Sequence, residues 1–284
     1  MSTPAAVPAP PAGPRRAWRR DLSGTRALVT GASSGVGRAL AVELVRRGAH
    51  VLATGRRSER LAALADTSAG LPAGRLIHEA GDVTVPDVRR RLVALAESRF
   101  GGLDLVVAAA GSGAIGRFRD AQPQTLVRIM DIDFFAAAEL VREALPSLRH
   151  GRDPAVVLVG SILGYHPLPL HAEYCAAKAA LRSLAGTLRL ELSRDGIGVL
   201  LASLGPTESE FWSHLLAGRR PAWSRGRPLS AERTARTILR GLIWRRREVL
   251  PGWQAKGYAI ASRLFPGLID RAMMRRWRRD EPLP

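Results

Sequence analysis

RALVTGASSGVGRAL, residues 26–40, holds the turn on which the fold depends. Its first five residues centre on Ala, Leu and Val without alternation, as a strand buried on both faces does. From residue 37 to 47 the apolar positions take helical spacing. Gly31, Gly35 and Gly37 lie between the two. A backbone free of side chains can turn tightly there and approach a pyrophosphate, and the helix N-terminus offers N–H donors and the positive end of its dipole. The spacing is G-x-x-x-G-x-G and not the commoner G-x-G-x-x-G, but the strand–turn–helix context is the one a dinucleotide needs. Gly31, Ser33, Ser34, Gly35, Val36 and Gly37 are therefore the first candidate cofactor residues.

Working outward, the same rhythm repeats. Short apolar runs at 50–54, 75–80, 104–110, 155–160 and 198–203 read as buried parallel strands, and 248–250 as a short seventh. Amphipathic stretches at 58–65, 86–99, 123–148, 172–194 and 231–245 read as helices between or after them. The pattern predicts an α/β fold: one Rossmann-like, doubly wound parallel sheet of about seven strands with helices on both faces. No composition break divides residues 22–252, which read as one domain. Residues 1–21, rich in Pro, Ala and Arg, read as a disordered leader, and 253–284 as a basic amphipathic extension. A second glycine motif, GSGAIG at 111–116, also follows a strand, but RFRDAQPQ after it does not open a helix.

Composition narrows the function. Cys175 is the only cysteine, so no internal disulfide forms, and the six histidines have no metal-ligand spacing. No run of about 18 apolar residues exists to cross a membrane. Net charge is +18, but residues 1–20 carry only +4 and 271–284 only +3. An excess spread through the middle, without a recognisable nucleic-acid module, reads as compositional habit, and no nucleic-acid partner is expected. Lone, reduced cysteine usage and the absence of a signal peptide lead us to expect a cytoplasmic protein.

The second strand ends in TGRRSERL. A fold selective for NAD usually places an acid there, against the ribose hydroxyls. Here Gly55 is followed by Arg56 and Arg57, which can pair with a 2′-phosphate that a carboxylate would repel. NADP(H) is the expected cofactor. Asp82 and Val83, after the third strand, are placed to border the adenine.

AEYCAAKAAL, residues 172–181, contains Lys178, one of two lysines against 41 arginines. Tyr174 and Lys178 are one helical turn apart on one face. A free phenol, with a pKa of roughly 10, is a poor base, and a neighbouring ammonium lowers that value. Tyr174 could then pass a proton to or from a substrate oxygen. Ser161, thirteen residues earlier at the end of a strand, could hydrogen-bond the substrate oxygen and the phenol.

Over residues 22–252 the chain resembles the short-chain dehydrogenase/reductase (SDR) family. TGASSGVG resembles its cofactor turn, Ser161, Tyr174 and Lys178 its Ser…Tyr-x-x-x-Lys pattern, and SLGPTESEF (203–211) the segment after its sixth strand. The resemblance implies hydride transfer between a nicotinamide and a carbonyl or alcohol carbon, with Tyr174 as acid/base, Ser161 orienting the substrate oxygen, and Lys178 tuning Tyr174 and holding the ribose. It adds Ala109, Ala110, Gly111, Gly205 and Thr207 to the cofactor set. Three positions depart from the family pattern. Ala108, Ala109, Ala110 and Gly111 replace Asn-Asn-Ala-Gly, with loss of bracing amide hydrogen bonds. Asp133 stands at the catalytic Asn, bringing a negative charge that could pair with Lys178 or oppose Tyr174 deprotonation. Leu204 replaces the Pro before Gly205. The chain has no Asn at all.

Leu163, Tyr165, His166, Leu168 and Leu170, with Phe211, Trp212 and Leu215, form a candidate pocket suited to a bulky lipophilic substrate. The rival function is a non-catalytic nucleotide-binding member of the fold, motivated by Ala108, Ala109 and Asp133. In the extension, Leu268, Ile269, Ala272, Met273 and Trp277 at near-helical spacing among arginines suit an anionic membrane surface, or equally docking on the domain or a partner subunit. A homo-oligomer, dimer or tetramer, is expected.

Overall fold

A computed structural model describes residues 18–71, 74–218 and 228–280. Seven strands form one sheet, every pairing parallel. They are β1 (Arg26–Val29), β2 (His50–Gly55), β3 (Arg75–Ala80), β4 (Leu105–Ala108), β5 (Ala155–Ser161), β6 (Gly198–Leu204) and β7 (Glu248–Val249). Their order is β3-β2-β1-β4-β5-β6-β7. Parallel neighbours need crossovers, and the helices supply them: α1 (Gly35–Arg46), α2 (Ser58–Ala69), α3 (Pro86–Phe100), α4 (Pro123–Met130), α5 (Ala136–Arg149), α6 (Ala172–Glu191) and α7 (Ala231–Ile243).

Both faces of the sheet are covered, and residues divide between them with the period of two that a strand imposes. Ala27, Val29, Leu105, Val107 and Val157 meet α1, α2 and α7 in one core. Leu28, Val106, Val156 and Leu158 meet α3, α5 and α6 in the other. Double burial explains why these strands read as unbroken apolar runs. Before β4, Asp104 is 2 % exposed. Its carboxylate accepts from the Arg26 backbone and guanidinium at 2.7–2.9 Å, and from the Arg152 amide, linking the starts of β1, β4 and β5. These bonds outweigh burial and hold its pKa below the ordinary carboxylate value. Strand order reverses between β1 and β4, and in such sheets ligands bind beyond the strand ends at that point.

Two expectations change, and one turn is added. The helix expected over 123–148 is interrupted by a π turn, Asp131–Phe135, between α4 and α5. Ile162–Gly164 forms a short 3₁₀ turn after β5. The leader, read as ending at 21, gives way to packed chain by residue 18. Arg20 is buried, its guanidinium bonded to the carbonyls of Asp153 and Pro154 and its amide to the Ile243 carbonyl. Trp18 and Trp244 stack edge-on at 5.1 Å with Arg19 against both rings. Residues 1–17 of that leader lie outside the described residues.

The extension forms two helices, α8 (Trp253–Leu264) and α9 (Pro266–Asp280). Ala255, Ala259 and Ser262 of α8 are buried. In α9, Ile269, Met273 and Trp277 are half-buried along one stripe, while Leu268 and Ala272 face outward.

Candidate active site

The glycine-rich turn closes beyond β1. Gly31 and Gly35 have φ of +66° and +53°, the left-handed region that glycine tolerates best. A Cβ on Gly31 would stand 2.7 Å from the Ala109 carbonyl oxygen, and one on Gly37 2.4 Å from the Gly31 oxygen. The turn is thus pressed against the end of β4 and against the start of α1, leaving no room for side chains. Ser34, at the N-cap of α1, makes no side-chain cap bond, so the first-turn N–H groups are not consumed there. Such a bare, backbone-lined helix start fits the pyrophosphate of a dinucleotide. The bracing that Ala108 and Ala109 forgo comes from the other side: Thr30 Oγ1 accepts from the amides of Ala109 at 3.0 Å and Ala110 at 3.1 Å.

Around this turn stand the other cofactor candidates. Arg57 reaches Ser33, its Nη2 and Nε lying 3.3 and 3.4 Å from Ser33 Oγ. Arg56 is exposed. Asp82 accepts from the Thr84 amide and hydroxyl, which starts the turn into α3, and Val83 beside it is buried. Gly205 is in contact range of α8: a Cβ on it would lie 3.2 Å from Ala255 Cβ. Thr207 Oγ1 donates to the Gly205 carbonyl.

The three chemistry-bearing residues meet at the end of β5. Gly164 makes this possible, because a Cβ there would come 2.6 Å from the Lys178 carbonyl oxygen. The 3₁₀ turn therefore lies directly on α6, bringing Ser161 to Tyr174. Ser161 Oγ accepts from the Leu163 amide and contacts the carbonyl of its register neighbour Leu204, and the hydroxyl lies near enough to the Tyr174 phenol to favour its ionised form. Lys178 is buried, its Nζ donating to the Val159 carbonyl at 3.3 Å and lying 5.6 Å from the centre of the Tyr174 ring.

Asp133 completes the cluster. The π turn shifts the helical register and aims this side chain inward. Asp133 Oδ1 lies 2.8 Å from Lys178 Nζ, and Oδ2 accepts from the Ser112 amide at 3.3 Å. Gly111 lets the pair form, since its Cβ would stand 2.7 Å from Oδ1. Of the two fates foreseen for Asp133, pairing with Lys178 and opposing the phenolate, the structure contains both. Burial pushes the Asp133 carboxyl above its ordinary value despite Lys178. Burial works against the Lys178 charge, but Asp133 and Tyr174 more than offset it and its pKa is raised. For Tyr174 the expectation of a lowered pKa is reversed. Burial dominates, and the Asp133 charge adds to it, so the phenol holds its proton above the ordinary range despite Lys178 and Ser161.

On the substrate side, Phe211 lies edge-on against the Tyr174 ring at 5.5 Å, and Trp212 against Phe211 at 5.3 Å. Phe211 also sits over Gly113, where a Cβ would come within 2.3 Å of its ring. Tyr165 and His166, expected in the same pocket, commit their polar groups elsewhere. The Tyr165 hydroxyl donates to Glu248 at 2.5 Å, with Arg182 stacked on its ring at 4.0 Å. The His166 ring meets Asp270 at 3.0 Å, and its carbonyl accepts from the Tyr258 hydroxyl. Both residues anchor the C-terminal part of the chain. Glu248 also accepts from Ser203.

Several contributors escape a sequence reading. Thr30 had a signal, a hydroxyl between strand and glycine turn. Ser112, Glu210 and His214 had none, since their partners lie about 20 to 157 residues away.

A bare glycine turn at the switch point, beside a buried Ser–Tyr–Lys cluster, defines a dinucleotide-binding oxidoreductase of the doubly wound class. Comparison with known proteins agrees. Residues 25–219 match the short chain dehydrogenase family. The chain is 37 % identical to an uncharacterized oxidoreductase of Myxococcus xanthus over 192 residues, 67 % of this chain and 75 % of that one. It is 29 % identical to hydroxysteroid 11-beta-dehydrogenase 1-like protein A of Xenopus laevis over 257 residues, 89 % and 86 % of the two chains. The fold matches an alcohol dehydrogenase of Thermococcus sibiricus, solved with 5-hydroxy-NADP, at a TM-score of 0.70 and 22 % identity, covering 79 % of this chain and 94 % of that one. The chain belongs to the short-chain dehydrogenase family.

Proposed function

We propose that the protein is an NADP(H)-dependent oxidoreductase acting on a carbonyl or alcohol carbon of a lipophilic substrate. The convergence of Ser161, Tyr174 and Lys178 beside the glycine-rich turn carries this reading. Gly31, Ser33, Ser34, Gly35, Val36 and Gly37 would hold the pyrophosphate end, Arg56 and Arg57 the 2′-phosphate, and Lys178 the nicotinamide ribose. Asp82 and Val83 would border the adenine, while Ala109, Ala110, Gly111, Gly205 and Thr207 would line the nicotinamide end. The cofactor, when bound, supplies or accepts the hydride. Tyr174, kept protonated, passes its phenolic proton to the substrate oxygen in the reductive direction. Ser161 orients that oxygen, and Lys178 stabilises the phenolate that the transfer leaves. Leu163, Phe211, Trp212 and Leu215 offer apolar surface to the substrate, and hydroxysteroid dehydrogenase names among the relatives support a bulky one.

Thermal shifts with NADP(H) and NAD(H), followed by NADPH oxidation against lipophilic aldehydes, ketones, steroid ketones and quinones, test this. We expect a larger shift with NADP(H), and a loss of roughly 10²–10⁴-fold in turnover for Tyr174→Phe. Tight NADPH binding with no Tyr174-dependent turnover across the panel would support the rival, a non-catalytic nucleotide-binding protein.

A second reading concerns location. Trp253, Ile260, Leu264, Phe265 and Leu268 are each more than half exposed along α8 and the start of α9. Exposed Arg263, Arg271, Arg275, Arg276 and Arg278 accompany them. Apolar side chains flanked by arginines favour a cytoplasmic protein touching an anionic membrane at its periphery. None of the described helices is long and apolar enough to cross one. A homo-oligomer remains the expected quaternary state: Leu126, Val127 and Phe135 leave an apolar face that a second copy would cover, and light scattering at graded concentrations reads it.

A further inference from the structure

The segment after β6 reaches back across the molecule to the glycine-rich turn. Glu210 Oε2 lies 2.7 Å from Arg57 Nη1, and Oε1 pairs with Arg60 of α2. His214 Nε2 joins the group, 3.0 Å from Arg57 Nη1 and 3.3 Å from Glu210. Ser209 Cβ would touch a Cβ on Gly35 at 3.0 Å. The other side of the segment is pinned as well: Ser112 Oγ donates to the His214 carbonyl, and the Leu216 amide to the Gly113 carbonyl.

Arg57 therefore has two anion-facing relationships. One is the 2′-phosphate assigned to it above; the other is a carboxylate of its own chain. A phosphate offers more charge and more acceptor oxygens than a carboxylate, and guanidinium groups favour it accordingly. The Glu210 pair is half-exposed at the surface, so it is weak and readily exchanged. Two arginines hold the Glu210 pKa down to about 2, so it stays ionised at any working pH.

We infer that Glu210 is a specificity-determining residue: its carboxylate occupies Arg57 until a 2′-phosphorylated dinucleotide displaces it, which frees the segment 209–216 from the glycine-rich turn. The inference rests on the NADP(H) reading of Arg57. NAD(H), lacking the phosphate, leaves the pair closed. Because Phe211 of the same segment lies on Tyr174, release also uncovers the phenol.

Calorimetric titration of the full chain with NADP⁺ and NAD⁺, in wild type, Glu210→Gln and Arg57→Ala, tests it. Glu210→Gln should tighten NADP⁺ binding about 5-fold, the worth of an exposed ion pair, and change NAD⁺ by less than about 2-fold. Hydrogen exchange gives an independent readout. Adenosine 2′,5′-bisphosphate should speed exchange at the Phe211 amide, whereas 5′-AMP should not, and Glu210→Gln should show the faster exchange without ligand. If Arg57→Ala abolishes the preference for NADP⁺ while Glu210→Gln leaves both affinities and the exchange unchanged, the competition is refuted and the cofactor reading stands. If wild type binds both dinucleotides equally, the cofactor reading fails and the inference with it.

Discussion

Behind Tyr174, Lys178 and Asp133 share a site in which both are about nine-tenths buried or more. Removing one member of a buried pair leaves the other charge uncompensated, so neither can be treated as a spectator. The consequence for chemistry concerns Tyr174. Asp133 is one of the groups that raise its pKa, and Lys178 lowers it. Replacing Asp133 by Asn removes the negative charge and keeps the shape, so the Tyr174 pKa should fall. In the proposed reduction the phenol must be protonated, and activity should decline as pH rises through that pKa. The alkaline limb of kcat/KM should therefore move to lower pH in Asp133→Asn, and the rise of the oxidative reaction should move the same way. Paired pH profiles of the two proteins measure this; an unmoved limb would mean that Asp133 does not act on Tyr174. The position of Asp133 was legible beforehand, and so was its sign. What the residues alone could not show was the outcome of the contest, because burial of a phenol is a property of the packed molecule.

At the level of elements, the inner parallel strands were legible because each is covered on both faces and reads as an apolar run, whereas β3, read as buried, is an edge strand whose Arg75 and His78 are exposed. Their ends were less so. The fourth was expected over 104–110, but pairing stops at Ala108, where the next two amides turn to Thr30. The π turn left no mark in the apolar period, since five residues are too few to shift it visibly, yet it aims Asp133. The junction of β1, β4 and β5 at Asp104 makes a prediction of its own. The folded-state pKa of Asp104 is depressed, so its stabilising contribution is present above the ordinary carboxylate value near 4 and is lost as pH falls through the lower, folded-state value. Asp104→Asn should destabilise the fold at neutral pH by about 2–4 kcal/mol, leaving Arg26 half-paired, and should flatten the acid limb of the stability curve. Urea melts between pH 3 and 7 would show both effects.

For the molecule as a whole, the doubly wound parallel sheet could be expected from the strand–helix rhythm, but the joins between distant parts could not. His166 meets Asp270 across 104 residues, and Arg57 meets Glu210 across 153. No local pattern encodes such meetings. The charge is likewise a property of the whole. If α8 and α9 rest on an anionic surface, the full chain should co-sediment with vesicles containing phosphatidylserine, and lose most of that binding when Leu264, Phe265 and Leu268 are changed to Ser. Equal sedimentation of the two proteins would rule out that contact.

The two residues that follow the 3₁₀ turn after Ser161 have a mechanical meaning. Tyr165 is fastened to β7 and His166 to α8 and α9, while Ser161 itself ends β5 four positions earlier. The strand that ends at Ser161 and the tail are thus joined by a very short tether. Between the outer helices and the backbone at Ser161 only Ile162–Gly164 intervenes, so a load borne by those helices has three residues in which to dissipate before it reaches the candidate site.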